Sequence, residues 1–168
     1  MTIEIKPFKA PLGAEVLGLN LHTAISAEDH TALCQAWLKH KVLLFREQTL
    51  SYKEQITLSR VFGELDAPVM KLLKYSDGSG QKTNVPPEIT IVSNIKENGK
   101  PIGQLGNGEA FWHTDSNFVS EPPSASLLHA IELPPSGGNT SFMDMELVLE
   151  TMPDNFCKEI DGRLCKHD

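Results

Sequence analysis

His113 and Asp115, two positions apart in the run Phe111-Trp112-His113-Thr114-Asp115, are the residues whose types and spacing point to chemistry. On an extended backbone side chains alternate between faces, so positions i and i+2 look the same way and an imidazole and a carboxylate can close on one metal ion. A mixed nitrogen and oxygen donor pair suits non-haem Fe(II), which needs a third ligand, usually a second histidine, and open positions for co-substrate and oxygen. The triplet alone is weak, since this histidine and aspartate content gives about 0.3 such pairs by chance. A histidine hydrogen-bonded to a surface carboxylate is the plainer alternative, and a zinc site activating water for hydrolysis with another histidine is a further one. Phe111, Trp112 and Phe118 add aromatic surface, which predicts a water-excluding setting, with Trp112 and Phe118 as packing residues. Downstream, the turn Gly137-Gly138-Asn139-Thr140 brings a hydroxyl to a place where small residues permit close backbone approach. Thr140 as a simple strand former is the competing reading.

The elements that must position these groups are legible in outline. Thr2-Ile3-Glu4-Ile5-Lys6 and Ala14-Glu15-Val16-Leu17-Gly18-Leu19 alternate as two short strands, broken at Pro11-Leu12-Gly13. From Ser26 the spacing changes: Leu33, Ala36, Trp37 and His40 recur at helical intervals, Ser26 is the cap, Glu28 and Asp29 favour the first turn, and the helix ends near His40. Val42-Leu43-Leu44-Phe45 reads as a buried strand, and Ser51-Tyr52-Lys53-Glu54 as a capping box opening a helix that leads out to Gly63. Residues 74–108 hold much of the glycine and the pair Pro86-Pro87, with one strand candidate at Ile89-Thr90-Ile91-Val92. They read as a loop region, either a lid or plain surface decoration. Pro122-Pro123 marks a turn, 126–133 a strand, 134–139 another turn and 140–143 a returning strand. Asp144 caps a helix reaching Thr151, and Pro153 opens a last short helix ending near Gly162.

Bulk properties exclude several classes. A formal charge of −7 and a pI near 5.3 argue against a nucleic-acid partner, which needs clustered Lys and Arg. No apolar run approaches a membrane span and no signal-peptide core opens the chain, so the expectation is a soluble, cytoplasmic protein. The three cysteines, Cys34, Cys157 and Cys165, have no Cys-x-x-Cys spacing and read as reduced thiols. At 168 residues, 40% hydrophobic and 22% charged, the chain has the size and composition of one globular domain.

His113-Thr114-Asp115, together with Pro122-Pro123, Leu127-Leu128 and residues 134–140, resembles the Fe(II)/2-oxoglutarate-dependent taurine dioxygenase family, the TauD/TfdA group. Gly13-Ala14-Glu15-Val16, His40-Lys41-Val42-Leu43-Leu44-Phe45-Arg46 and Phe62-Gly63-Glu64-Leu65 are similar to the N-terminal half of that family in the same order, so the likeness runs from about residue 13 to residue 168. The resemblance implies an α+β chain built on a double-stranded β-helix (a jelly roll, clavaminate synthase-like) with flanking helices. It implies His113 and Asp115 as iron ligands and Thr140 as donor to a carboxylate of 2-oxoglutarate. Ser116 would offer a backbone contact to substrate. Glu109 is a candidate to repel an anion or bind a polar group, and Met70 and Tyr75 are candidates for the pocket wall, with a packing role as the alternative.

The implied reaction takes Fe(II), 2-oxoglutarate and O2, releases succinate and CO2, and hydroxylates a small organic substrate, anionic ones included. Neither nucleic acid nor membrane is a partner, and a homo-oligomer is allowed. The family's distal histidine ligand and 2-oxoglutarate-binding arginine lie downstream of the segment matching residue 168, and none of His22, His30, His40, His129 or His167 corresponds to that ligand. The expectation is therefore that residues 1–168 are the N-terminal portion of one dioxygenase domain, incomplete at the C-terminus. A truncated, non-catalytic metal-binding or interaction fragment of the same fold is the alternative.

Overall fold

The computed structural model describes residues 3–65, 85–105 and 111–165. It divides into two compact units, one formed by Met1–Thr49 with Leu128–Asp168 and the other by Leu50–Leu127.

In the first unit, β1 (Glu4–Pro7) and β2 (Ala14–Leu17) pair antiparallel with Glu4 opposite Leu17 and Pro7 opposite Ala14. The Phe8 amide donates to the Gly13 carbonyl at 3.0 Å and closes the connection. Helix α1 (Ala27–His40) then returns the chain so that β3 (Leu43–Leu44) lies parallel to β2. The helix starts where the sequence predicts: the Ser26 side chain accepts from the Asp29 amide at 3.0 Å, satisfying one of the first-turn donors that has no helical partner. Leu33 and Ala36, three residues apart, form its buried stripe and join Ile3, Ala14, Val16 and Leu21 in the core.

Lys41 ends α1 in the left-handed region, at φ 64, with its amide donating to the Trp37 carbonyl at 2.7 Å. The adjoining carbonyls are taken up by the sheet, since Gly13 donates to His40 at 2.8 Å and Ala14 to Val42 at 2.9 Å. Arg46 reaches Glu15 of β2 at 3.0 Å. The same unit contains α3 (Met145–Thr151) and α4 (Asp154–Ile160), at the predicted places. Asp144 caps α3 by accepting from the Glu146 and Leu147 amides, and it also receives the Lys41 ammonium at 2.5 Å, which meets Glu146 at 2.6 Å. Neither α3 nor α4 buries a side chain.

The strands expected at 126–133 and 140–143 are not formed. Apolar, β-favouring residues supply only a preference; a strand also needs a neighbour to take its amides and carbonyls, and among the described residues none pairs with these segments. Leu128, Ile131 and Leu133 consequently stand exposed. Likewise the run Val42-Leu43-Leu44-Phe45 is a ladder at Leu43 and Leu44 alone.

In the second unit, α2 (Tyr52–Ser59) opens with both halves of the predicted capping box: the Ser51 hydroxyl accepts from the Glu54 amide at 3.3 Å and the Glu54 carboxylate from the Ser51 amide at 2.8 Å. Helical geometry stops at Ser59, and turns rather than helix lead on to Gly63. Leu58, Val61 and Ile89 are buried. The described part of the expected loop region is more ordered in pattern than the sequence reading allowed. Strands β5 (Lys96–Glu97) and β6 (Lys100–Pro101) form a hairpin about Asn98-Gly99, while β4 (Val92–Ser93) pairs with β7 (Gln104–Leu105). Asn98 at φ 52 and Gly99 at φ 77 are the two left-handed residues that a tight hairpin turn demands, and Asn-Gly is the dipeptide that adopts them most readily.

Candidate metal site

His113 and Asp115 belong to the second unit and meet: Nε2 of the imidazole lies 3.1 Å from Oδ1 of the carboxylate. Local backbone explains the meeting. The chain turns from Asp115 onward, with Ser116 at φ 54 and its carbonyl accepting from the Val119 amide at 3.1 Å. The shared face expected from i, i+2 spacing is thus achieved at the lip of a turn instead of along a sheet ladder.

The tautomer follows from the partners. The Phe111 carbonyl can only accept, so Nδ1 carries the proton and donates to it at 2.6 Å. In neutral His113 this leaves the Nε2 lone pair turned toward an anionic oxygen. Two acceptors in that position need a cation between or beside them, either a proton on the ring or a metal ion. The ring is accordingly pushed above its ordinary pKa, first by the Phe111 carbonyl and further by the Asp115 charge, against an opposing effect of partial desolvation. A histidine held by a backbone carbonyl through one nitrogen and offering the other beside a carboxylate is the arrangement metal-ligating histidines adopt, so the donor set fits a divalent ion. The second carboxylate oxygen, Oδ2, accepts from the Ser126 hydroxyl at 3.3 Å.

Other expectations fare differently. Among the described residues the aromatic shield is absent: Phe111, Trp112 and Phe118 are 86%, 66% and 53% exposed, and the side chains of His113 and Asp115 are 59% and 64% exposed. Segment 111–120 forms no strand and among the described residues no sheet pairs with it, so Trp112 and Phe118 stand exposed rather than packed. Ser116 takes its place beside the pair, with a backbone conformation uncommon for a side-chain-bearing residue.

Thr140 lies in the first unit, exposed, after Gly137 at φ 75 and Gly138 at φ 68. A β-carbon on Gly138 would come within 2.9 Å of the Pro134 ring, so this turn depends on glycine by conformation and by space. Met70, Tyr75, Glu109 and His167 fall outside the described residues. His129 donates to the Gln48 carbonyl at 3.3 Å, and His30 lies 3.9 Å from the Cys34 sulfur. Among the described residues no three His, Cys, Asp or Glu side chains gather closely enough to hold a metal ion. Ser126 was not among the site residues expected from the sequence, because its contact with Asp115 spans eleven positions and no local pattern encodes it.

Comparison with known proteins yields consistent findings. The family model described as taurine catabolism dioxygenase TauD, TfdA family matches residues 4–168. The alpha-ketoglutarate-dependent 2,4-dichlorophenoxyacetate dioxygenase of Burkholderia sp. (strain RASC) is 34% identical over 140 residues, covering 75% of this chain and 43% of the relative. Its counterpart from Cupriavidus pinatubonensis (strain JMP 134 / LMG 1197) is 28% identical over 181 residues, covering 99% and 58%. A solved taurine dioxygenase structure from Burkholderia xenovorans is 32% identical and covers 46% of this chain and 28% of its own, with a TM-score of 0.38. The chain spans about half the length of the curated relatives it matches.

Proposed function

The chain belongs to the TauD, TfdA family of dioxygenases, and from that premise we propose that His113 and Asp115 are two of the protein ligands of Fe(II) in a 2-oxoglutarate-dependent hydroxylation of a small organic substrate. The observation that carries the proposal is the 3.1 Å approach of Nε2 to Oδ1 while Nδ1 is committed to the Phe111 carbonyl. When bound, iron with 2-oxoglutarate and O2 supplies the oxidising power for C–H hydroxylation, with succinate and CO2 released.

The residues have separable tasks. His113 presents one neutral nitrogen in a fixed ring orientation. Asp115 presents one anionic oxygen and lowers the net charge of the site by one. The Thr140 hydroxyl donates to a carboxylate of 2-oxoglutarate, and the two glycines before it let backbone come close to that carboxylate. Ser116, turned by its positive φ, directs its backbone toward substrate, and Glu109 and Met70 contribute to the substrate pocket. Residues 74–108 serve as its lid. The named substrate of the two dioxygenases above, 2,4-dichlorophenoxyacetate, is a small carboxylate, which supports a small anionic substrate here. The reading carries with it the family's double-stranded β-helix with flanking helices and a cytoplasmic setting. Among the described residues no helix is long and apolar enough to cross a membrane.

Oxygen consumption coupled to succinate release, measured with Fe(II), 2-oxoglutarate and a panel of small carboxylates on this chain and on any longer form, tests the reading. Turnover that disappears in H113A and in D115A, with unchanged circular dichroism, is the expected result. Retained turnover in either variant removes that residue from the iron site.

A further inference from the structure

We propose that Ser126 is a positioning residue for Asp115, fixing the plane of the carboxylate so that one oxygen stays turned to the imidazole; this rests on His113 and Asp115 being the ligand pair. The terminal torsion of an aspartate is broad, so a carboxylate with no constraint turns its plane through a wide range of orientations. Packing supplies little constraint here, because the Asp115 side chain is 64% exposed. The two oxygens nevertheless have different surroundings: Oδ1 lies 3.1 Å from His113 Nε2, and Oδ2 accepts from the Ser126 hydroxyl at 3.3 Å.

Ser126 is eleven residues further along the chain, outside the Ser116 to Val119 turn that fixes the backbone on the near side. The carboxylate is therefore held from two directions, by its own turn and by a hydroxyl arriving from a separate segment. A hydroxyl suits the task because it donates to one oxygen without bringing a charge that would compete with a cation for Asp115. Partners of this kind fix the orientation of ligating carboxylates, and their removal weakens metal binding about 10–100-fold.

The test uses Mn(II) as the probe, titrated into the 168-residue chain and followed by the electron paramagnetic resonance of free and bound ion, so that no turnover is required. S126A should bind Mn(II) about 10–100-fold more weakly than the parent. S126T, which keeps the hydroxyl, should restore most of the affinity and the parent spectrum of the bound ion. Urea unfolding of each variant checks that the exposed substitution leaves the fold intact. If S126A binds as tightly as the parent while D115A does not, the role of Ser126 is overturned and the ligand pair stands. If D115A binds unchanged, the ligand pair fails and this proposal with it. Failure of S126T to rescue S126A would also overturn it, since the hydroxyl would then not be the operative group.

Discussion

An imidazole lone pair and a carboxylate oxygen do not rest 3.1 Å apart unless something positive holds them there, and that constraint gives the His113–Asp115 pair its meaning. The pair was legible in the sequence because two-residue spacing encodes a common direction over a short stretch of backbone. Ser126 was not, since its contact depends on how eleven intervening residues return the chain. The exposure of Trp112 and Phe118 was misread for a related reason: an aromatic ring is buried only where another layer covers it, and residue type does not reveal the cover. With Thr140 donating to 2-oxoglutarate as proposed, that hydrogen bond to a charged co-substrate would be worth about 1.5–3 kcal/mol, so T140A should raise the 2-oxoglutarate Kd by about 10- to 100-fold, with T140S close to the parent. Equilibrium titration with 2-oxoglutarate checks this, and equal affinity in T140A would free Thr140 of the role. At Gly138, alanine meets both the positive φ and the Pro134 ring, and G138A should lower stability by about 1 kcal/mol or more in urea unfolding.

Helix starts were the most readable elements, because a cap is a contract between residues three apart. Ser26 with Asp29 and Ser51 with Glu54 both form as the sequence implies, and S51A should cost about 1 kcal/mol of stability by removing one side of the box. Strands were less readable, since 126–133 has the right residues and no ladder, while the Asn98-Gly99 hairpin was signalled plainly by its turn dipeptide within a region read as loop. The link between α1 and α3 carries a pH dependence. Lys41 and then the Leu147 amide hold the Asp144 carboxyl below its ordinary range, so their contribution is present above the unfolded value near 3.8 and is lost as pH falls from there through the depressed folded value. Lys41, raised by Asp144 and then Glu146, contributes fully below 10.5 and loses its contribution as pH rises through the raised folded value. Urea midpoints measured across the acid limb should therefore fall less steeply in D144N, whose amide oxygen still caps α3, than in the parent. Identical slopes would mean that the contact does not distinguish the charged form.

For the molecule as a whole, composition indicated ordinary globular character but not where the apolar residues would be buried. The buried hydrophobic residues of the described structure all precede residue 90, whereas Leu128, Ile131, Leu133, Met145, Leu149 and Phe156 are exposed. Exposed apolar side chains in this number promote association. The chain should self-associate with rising concentration and bind an apolar dye. Replacing Leu128, Ile131 and Leu133 by threonine should reduce both while shifting stability by no more than about 0.5 kcal/mol per site. Sedimentation at several concentrations gives the answer, and unchanged association would acquit these three residues.

The ion pair from Lys41 to Asp144 joins residues 103 positions apart, and the whole of the second unit is strung between them. During synthesis from the N-terminus, the sheet and α1 emerge first and must wait for the entire intervening stretch before their last partner leaves the ribosome. Lys41 therefore spends that interval in its left-handed conformation, or fails to hold it, without the carboxylates that later engage its side chain. The end of the first helix is thereby a joint finished late, whatever the order in which its neighbours fold.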